Sequence, residues 1–189
     1  ESQIRGILDT GIIVVVDEAY YEFCGETTLQ LLEEYSNLIV LRTFSKWAGL
    51  AGLRIGYGLM NPDLASILMK FKPPFGINQA AEAALMASLE DLPTLQERVS
   101  WICQERDRMY GLLEEMPDVF PWPSEGNFIL CQVPEGKGKI VYEGLAYRGV
   151  FVRYFAQGSL SNCIRVSVGT KDQTDQFLET LKIVMDNLS

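Results

Sequence analysis

Histidine is absent from all 189 residues. A chain without imidazole cannot build a Ser–His or Cys–His nucleophile pair, and it cannot complete a Cys/His zinc site. Cysteine is scarce, with Cys24, Cys103, Cys131 and Cys163 far apart and no Cys-x-x-Cys spacing. They read as reduced, mostly buried thiols, and no metal is expected. Positive charge is short as well: 16 Lys and Arg stand against 25 Asp and Glu, a net charge of −9. A phosphate backbone would be repelled on average, so nucleic acid is not expected as a partner. No apolar run approaches the roughly 18 residues of a membrane span, so no membrane partner is expected. The opening Glu-Ser-Gln-Ile-Arg offers neither an initiator Met nor a signal-peptide core. The expectation is a soluble, intracellular chain that starts inside something longer.

What is present is a globular composition, 48% hydrophobic, enough to bury a core. Ile12-Ile13-Val14-Val15-Val16 runs unbroken into Asp17, the pattern of a central strand covered on both faces of a parallel sheet. Leu38 to Leu41 repeats the pattern after a helically spaced Leu29, Leu32 and Tyr35, and a third, glycine-punctuated run extends from Leu53 to Leu59. Asn61-Pro62-Asp63 then supplies an N-cap and a proline at the first helical position. Leu64, Ile67, Leu68 and Phe71 line one face of the helix that follows, and Pro73-Pro74 stops it. Asn78 can cap an alanine-rich helix to about Glu90.

From Pro93 a longer helix carries Leu95, Val99, Ile102, Met109, Leu113 and Met116, with Arg106 in the one position where the stripe lacks an apolar residue. Beyond the prolines at 117, 121 and 123 the order is strand (127–133), helix (139–147), strand (150–153), strand (163–168) and helix (172–188). Thr170-x-x-Gln173 announces a capping box for the last helix. Residues 1–92 therefore read as part of a larger α/β domain, 93–116 as a linking helix and 117–189 as a small α+β domain.

Chemistry concentrates between Asp17 and Arg54. Asp17 ends a buried strand, where ligands of open α/β sheets sit, although an Asp there can also simply cap the following turn. Thr43 and Ser45 place two hydroxyls beside Lys46, and Arg54 returns a fixed cation after a loop that Gly49 and Gly52 let turn tightly. Hydroxyls plus arginine suit a phosphate ester, and a lysine beside them is placed to attack an aldehyde and form a Schiff base. Arg153 and Arg165 each stand in an apolar strand of the C-terminal domain, a costly position unless an anion meets them; a surface ion pair is as good a reading for Arg153. Asn127, opening a strand, reads equally well as a turn residue. Phe44, Trp47 and Tyr57 read as core aromatics.

Asp17-Glu-Ala-Tyr20, Thr43-Phe-Ser45-Lys46 and Gly49-Leu-Ala-Gly-Leu-Arg54-Ile-Gly-Tyr resemble the class I/II aminotransferases of pyridoxal phosphate (PLP) fold type I. Within them the wording from Leu38 to Tyr57 is most similar to histidinol-phosphate aminotransferases of plant and cyanobacterial type. The resemblance covers essentially the whole chain but only the C-terminal half of the family pattern. It implies the second half of a mostly parallel large domain followed by the small α+β domain. It also implies that Lys46 holds PLP covalently, Asp17 pairs with the pyridinium nitrogen, and Tyr20 meets the phenolic oxygen. Thr43, Ser45 and Arg54 would hold the phosphate, and Arg165, Arg153 and Asn127 the substrate. The family's other phosphate-binding turn, its aromatic stacking residue and a partner Asn lie in the half with no counterpart here.

The resemblance further implies transamination of L-histidinol phosphate with 2-oxoglutarate, an amino donor and a 2-oxo acid as partners, a homodimer, and a cytoplasmic or plastid location. An aromatic amino-acid aminotransferase, a PLP-dependent decarboxylase of an amino-acid phosphate, and a non-catalytic interaction module are the competing expectations.

Overall fold

A computed structural model describes residues 1–188, which divide into two compact units, Glu1–Glu97 and the residues from Arg98 onward. In the first unit, α1 (Ser2–Leu8) leads into β1 (Val14–Asp17), the short α2 (Tyr21–Cys24), a 3-10 turn at Leu29–Glu33 and β2 (Leu38–Thr43). A second 3-10 turn, Ala51–Leu53, precedes β3 (Gly56–Met60), after which come α3 (Pro62–Phe71) and α4 (Gln79–Glu90). The sheet runs β1-β2-β3: β1 and β2 pair in parallel with Asp17 opposite Leu41, and β3 joins antiparallel with Gly56 opposite Thr43. The parallel pair is what sets the C-terminal ends of β1 and β2 side by side, and both candidate chemical loops leave from there.

One face of this sheet packs on Leu8 and Leu31 through Leu38 and Val40. The other face is not covered to match. Val15 is 54% exposed, and Ile12 and Ile13 precede the strand and are exposed too. The unbroken apolar run therefore does not mark a strand covered on both sides here, because β1 has β2 as its sheet neighbour and packs through Val14 and Val16 alone. The stripe on α3 behaves alike: Asn61 caps the helix by accepting from Asp63 N–H, yet Ile67, Leu68 and Phe71 remain exposed. Asn78 caps α4 through Ala81 N–H, and Ala81 is buried.

In the second unit, β4 (Phe120–Pro121), β5 (Phe128–Gln132), β6 (Arg153–Tyr154) and β7 (Cys163–Ser167) form an antiparallel sheet in the order β4-β5-β7-β6. The long helix α5 (Leu92–Glu114), α6 (Gly138–Tyr147) and α7 (Lys171–Asp186) complete it. Met109 and Leu113 of α5 join Ile129, Cys131, Val141, Leu145, Ile164, Phe177 and Leu181 in one core. The division between the two compact units falls inside α5, between Glu97 and Arg98. Arg106 interrupts the apolar stripe by reaching to the Gly126 carbonyl at 3.4 Å and pairing with Asp107, which leaves its side chain 12% exposed. The capping box forms as the spacing requires: Gln173 N–H donates to Thr170 Oγ1 and Thr170 N–H to Gln173 Oε1. All four cysteines are free thiols, with Cys131 and Cys163 buried and Cys24 and Cys103 half-buried.

Candidate active site

Asp17, Thr43, Ser45, Lys46, Arg54 and Tyr57 line one open cleft of about 580 Å³ at the C-terminal ends of β1 and β2. That size falls within the roughly 300–1,000 Å³ range of small-ligand sites. Thr43 ends β2, and its hydroxyl organises the turn that follows: Thr43 Oγ1 accepts from Ser45 N–H at 3.0 Å and lies 2.8 Å from Ser45 Oγ. Both hydroxyls are thereby held on one side of the loop. Lys46 follows immediately and is exposed, with Nζ 5.6 Å from the centre of the Tyr20 ring. Gly49, at φ 71°, turns the chain back toward the sheet, and Leu50 N–H closes the loop on the Phe44 carbonyl at 3.1 Å.

Arg54 adopts φ 56° and ψ 50°, the left-handed region. A non-glycine residue costs roughly 1–2 kcal/mol there. Such an outlier points to a side chain whose chemistry is worth the strain. Its Nη1 donates to the Ala51 carbonyl at 3.0 Å, which orients the guanidinium beside the cleft. Two residues on, a Cβ at Gly56 would stand 2.7 Å from the Arg42 carbonyl oxygen, so only glycine lets β3 run this close to β2. Asp17 Oδ1 accepts from Ala19 N–H at 3.0 Å, the turn-capping bond, while the residue also lines the cleft. Capping and ligand contact are thus compatible roles for one carboxylate.

Phe44 is buried with Trp47 and Tyr57 at ring distances of 5.6 and 5.4 Å, yet Tyr57 also lines the cleft and is not wholly core. At the edge of the cleft, with Arg42 among its lining residues, lies a cluster that sequence reasoning passed over. Glu18 accepts from Thr28 N–H at 2.6 Å, from Thr27 and Thr28 hydroxyls, and from Arg42 Nε and Nη2 at 3.1 and 2.9 Å. Burial pushes the Glu18 carboxyl up, but the Thr28 N–H, the hydroxyls and Arg42 outweigh it and hold it below the usual carboxylate range. An arginine closing the apolar run Leu38 to Leu41 was the available signal, since a cation there needs a partner.

In the second unit, Arg153 and Arg165 stand directly opposite each other across β6 and β7 and line a pocket of about 340 Å³. Like charges facing each other across a ladder repel. Arg165 Nε is buried without a hydrogen-bond partner among the described residues, and its guanidinium lies 4.9 Å from the Phe128 ring centre. The arrangement suits an anion bridging the pair. Asn127 precedes β5, and its carbonyl accepts from Val168 N–H at 2.9 Å; its side chain is not among the pocket's lining groups. No cluster of metal-ligating side chains and no helix long and apolar enough to cross a membrane occurs among the described residues.

The sequence matches the family described as aminotransferase class I and II over residues 2–181. A histidinol-phosphate aminotransferase of Dehalococcoides mccartyi (strain CBDB1) is 46% identical over 181 residues, 96% of this chain and 51% of that protein. The chloroplastic histidinol-phosphate aminotransferase 1 of Arabidopsis thaliana is 44% identical over 184 residues, 96% of this chain and 44% of that protein. The crystal structure of histidinol-phosphate aminotransferase from Sinorhizobium meliloti in complex with pyridoxal-5'-phosphate aligns with a TM-score of 0.83 at 31% identity, covering 94% of this chain and 50% of that one. The chain spans about half the length of the curated relatives it matches.

Proposed function

The chain belongs to the class I and II aminotransferases, and on that premise we propose that its Lys46 cleft is a PLP site serving transfer of the amino group of L-histidinol phosphate to 2-oxoglutarate. The observation that carries this reading is the single cleft shared by Asp17, Thr43, Ser45, Lys46 and Arg54. Two hydroxyls and a cation beside a primary amine and a carboxylate fit a phosphorylated pyridine aldehyde. When bound, PLP supplies an aldehyde that exchanges amines and a ring that accepts the electron pair left at the substrate Cα.

The chain's own groups divide the remaining work. Thr43, Ser45 and Arg54 bind the phosphate, and Asp17 keeps the ring nitrogen protonated by ion pairing. Tyr20, beside Lys46, hydrogen-bonds the phenolic oxygen. Lys46 would offer its amine to the aldehyde and, once the substrate amine had taken its place, would take the Cα proton as base and deliver it as acid to the former aldehyde carbon. A lysine in this role explains how the chain manages without histidine. Arg165, with Arg153 facing it, takes the substrate's carboxylate or phosphate through its fork of donors, and Asn127 lies at the entry to the neighbouring strand.

The 44–46% identity to histidinol-phosphate aminotransferases supports the amino donor. We further propose a homodimer of the whole protein, acting in cytoplasm or plastid stroma; some similar proteins are named as chloroplastic. The test is to incubate the whole protein with L-histidinol phosphate, 2-oxoglutarate and PLP and to identify the products by mass. Glutamate and a keto phosphate in equal amounts, lost in Lys46→Ala, support the reading. Release of carbon dioxide from a phosphorylated amino acid offered in place of histidinol phosphate would make the enzyme a decarboxylase, faster turnover of aromatic amino acids would replace the donor, and activity surviving Lys46→Ala would overturn the site.

A further inference from the structure

Glu18 and Arg42 form an ion pair at the edge of the cleft: Arg42 is among the residues lining it, and each partner is the chain neighbour of a further lining residue, Asp17 or Thr43. Glu18 follows Asp17 at the end of β1, and Arg42 precedes Thr43 at the end of β2. Adjoining residues of a strand share one backbone, so an interaction that fixes Glu18 and Arg42 also fixes the backbone carrying Asp17 and Thr43. The pair is dry: the side chains are 9% exposed for Arg42 and 6% for Glu18. It is bidentate, through Arg42 Nε and Nη2 to one carboxylate oxygen, and Arg42 Nη2 also donates to Thr27 Oγ1 at 2.8 Å. The guanidinium lies 3.5 Å from the centre of the Tyr21 ring, the residue after Tyr20. Glu18 N–H donates to the Leu41 carbonyl at 2.8 Å, which extends the β1–β2 ladder into the loop.

A second carboxylate, Glu22, lies close by with Oε2 buried and unpartnered. Burial raises its pKa above the ordinary value, and Glu18 is the carboxylate that Arg42 hydrogen-bonds. A buried pair of this kind rarely stabilises a fold more than apolar residues of the same size would. Its place at the junction of two chemical loops points to another use.

We propose that Glu18 and Arg42 are positioning residues that clamp the Asp17–Tyr20 loop to the Thr43–Lys46 loop, setting Asp17 and Tyr20 against Lys46. Arg42, just before the second loop, is held by Glu18, by Thr27 and by the Tyr21 ring, so three points of the 18–27 segment register on one group. This inference rests on the reading of the cleft as a PLP site.

The test compares wild type, Glu18→Gln, Arg42→Lys and the double variant Glu18→Gln/Arg42→Met in the whole protein. Amide hydrogen exchange without cofactor should rise across residues 17–28 and 43–46 in Glu18→Gln while distant segments stay protected. PLP affinity should fall about tenfold or more, the equivalent of one lost charged hydrogen bond, and the pH midpoint of the bound cofactor's absorbance should move. Arg42→Lys, which keeps the charge but not the fork, should fall between. The double variant removes both charges and should regain thermal stability without regaining the wild-type midpoint. A purely structural pair would give the opposite: restored stability together with restored affinity and midpoint. If wild type shows the Lys46-dependent absorbance and folded Glu18→Gln matches it in exchange, affinity and midpoint, the clamp alone is overturned. If wild type shows no such absorbance, the reading of the cleft fails and takes the clamp with it.

Discussion

Arg54 joins a strained backbone to a charge at one position, and replacing it should separate stability from cofactor binding. At φ 56° an L-residue costs roughly 1–2 kcal/mol relative to its preferred region, and Arg54 is held there at the end of the Ala51–Leu53 turn. Glycine removes that cost but loses about 0.5–1 kcal/mol more chain entropy than alanine on folding. The Arg54→Gly protein should therefore be more stable than Arg54→Ala by about 0.5–1 kcal/mol. Both variants forfeit the hydrogen bond to the Ala51 carbonyl, so it cancels in the comparison. Both also lose the cation proposed to face the phosphate, worth about 1.5–3 kcal/mol as a charged hydrogen bond. This predicts a roughly ten- to 150-fold rise in the PLP dissociation constant for each. Urea unfolding of the cofactor-free protein gives the first quantity, since bound PLP would otherwise stabilise the native state by mass action. Fluorescence or absorbance titration gives the second. An alanine variant as stable as the glycine variant would refute the strain argument, and wild-type affinity in either would remove Arg54 from the phosphate site.

Asp17→Asn should retain bound PLP yet lose several orders of magnitude in turnover, because an amide cannot hold the ring nitrogen protonated; near-normal rates would reduce Asp17 to the turn cap it forms with Ala19 N–H. Burial pushes the Cys131 thiol up to about 12, with nearby Cys163 adding to the shift. Above about pH 8.5 the unfolded chain releases a proton that the native state keeps, so stability should fall as pH rises from there toward 12. Urea unfolding from pH 8 to 10.5 should show a steeper loss for wild type than for Cys131→Ala, and identical slopes would contradict the assignment.

Which polar groups of the first unit gather together was largely legible before any fold was known. Thr43, Ser45, Lys46 and Arg54 lie within one loop, where spacing and glycine placement restrict which groups meet, and the structure sets all of them on one cleft. The helix caps at Asn61, Asn78 and Thr170 were legible for the same reason: each depends on a side chain and an amide two or three residues away. Burial was less legible. The runs at residues 12–16 and on α3 are apolar, but hydrophobicity states a preference for cover and cannot say whether a neighbouring layer supplies it, and Val15 and Phe71 remain exposed.

The Glu18–Arg42 contact bridges 24 residues, and the facing of Arg153 and Arg165 depends on strand register. Such meetings have no local code. The left-handed turn at Arg54 was hidden differently, because arginine carries no preference for that region and only the path between Ala51 and Ile55 imposes it. By itself, then, the sequence determined the short-range groups that hydrogen-bond or turn within a few residues. Tertiary structure alone decided which strands lie side by side, and hence which distant charges meet across them, because pairing and register are settled by packing over the whole sheet.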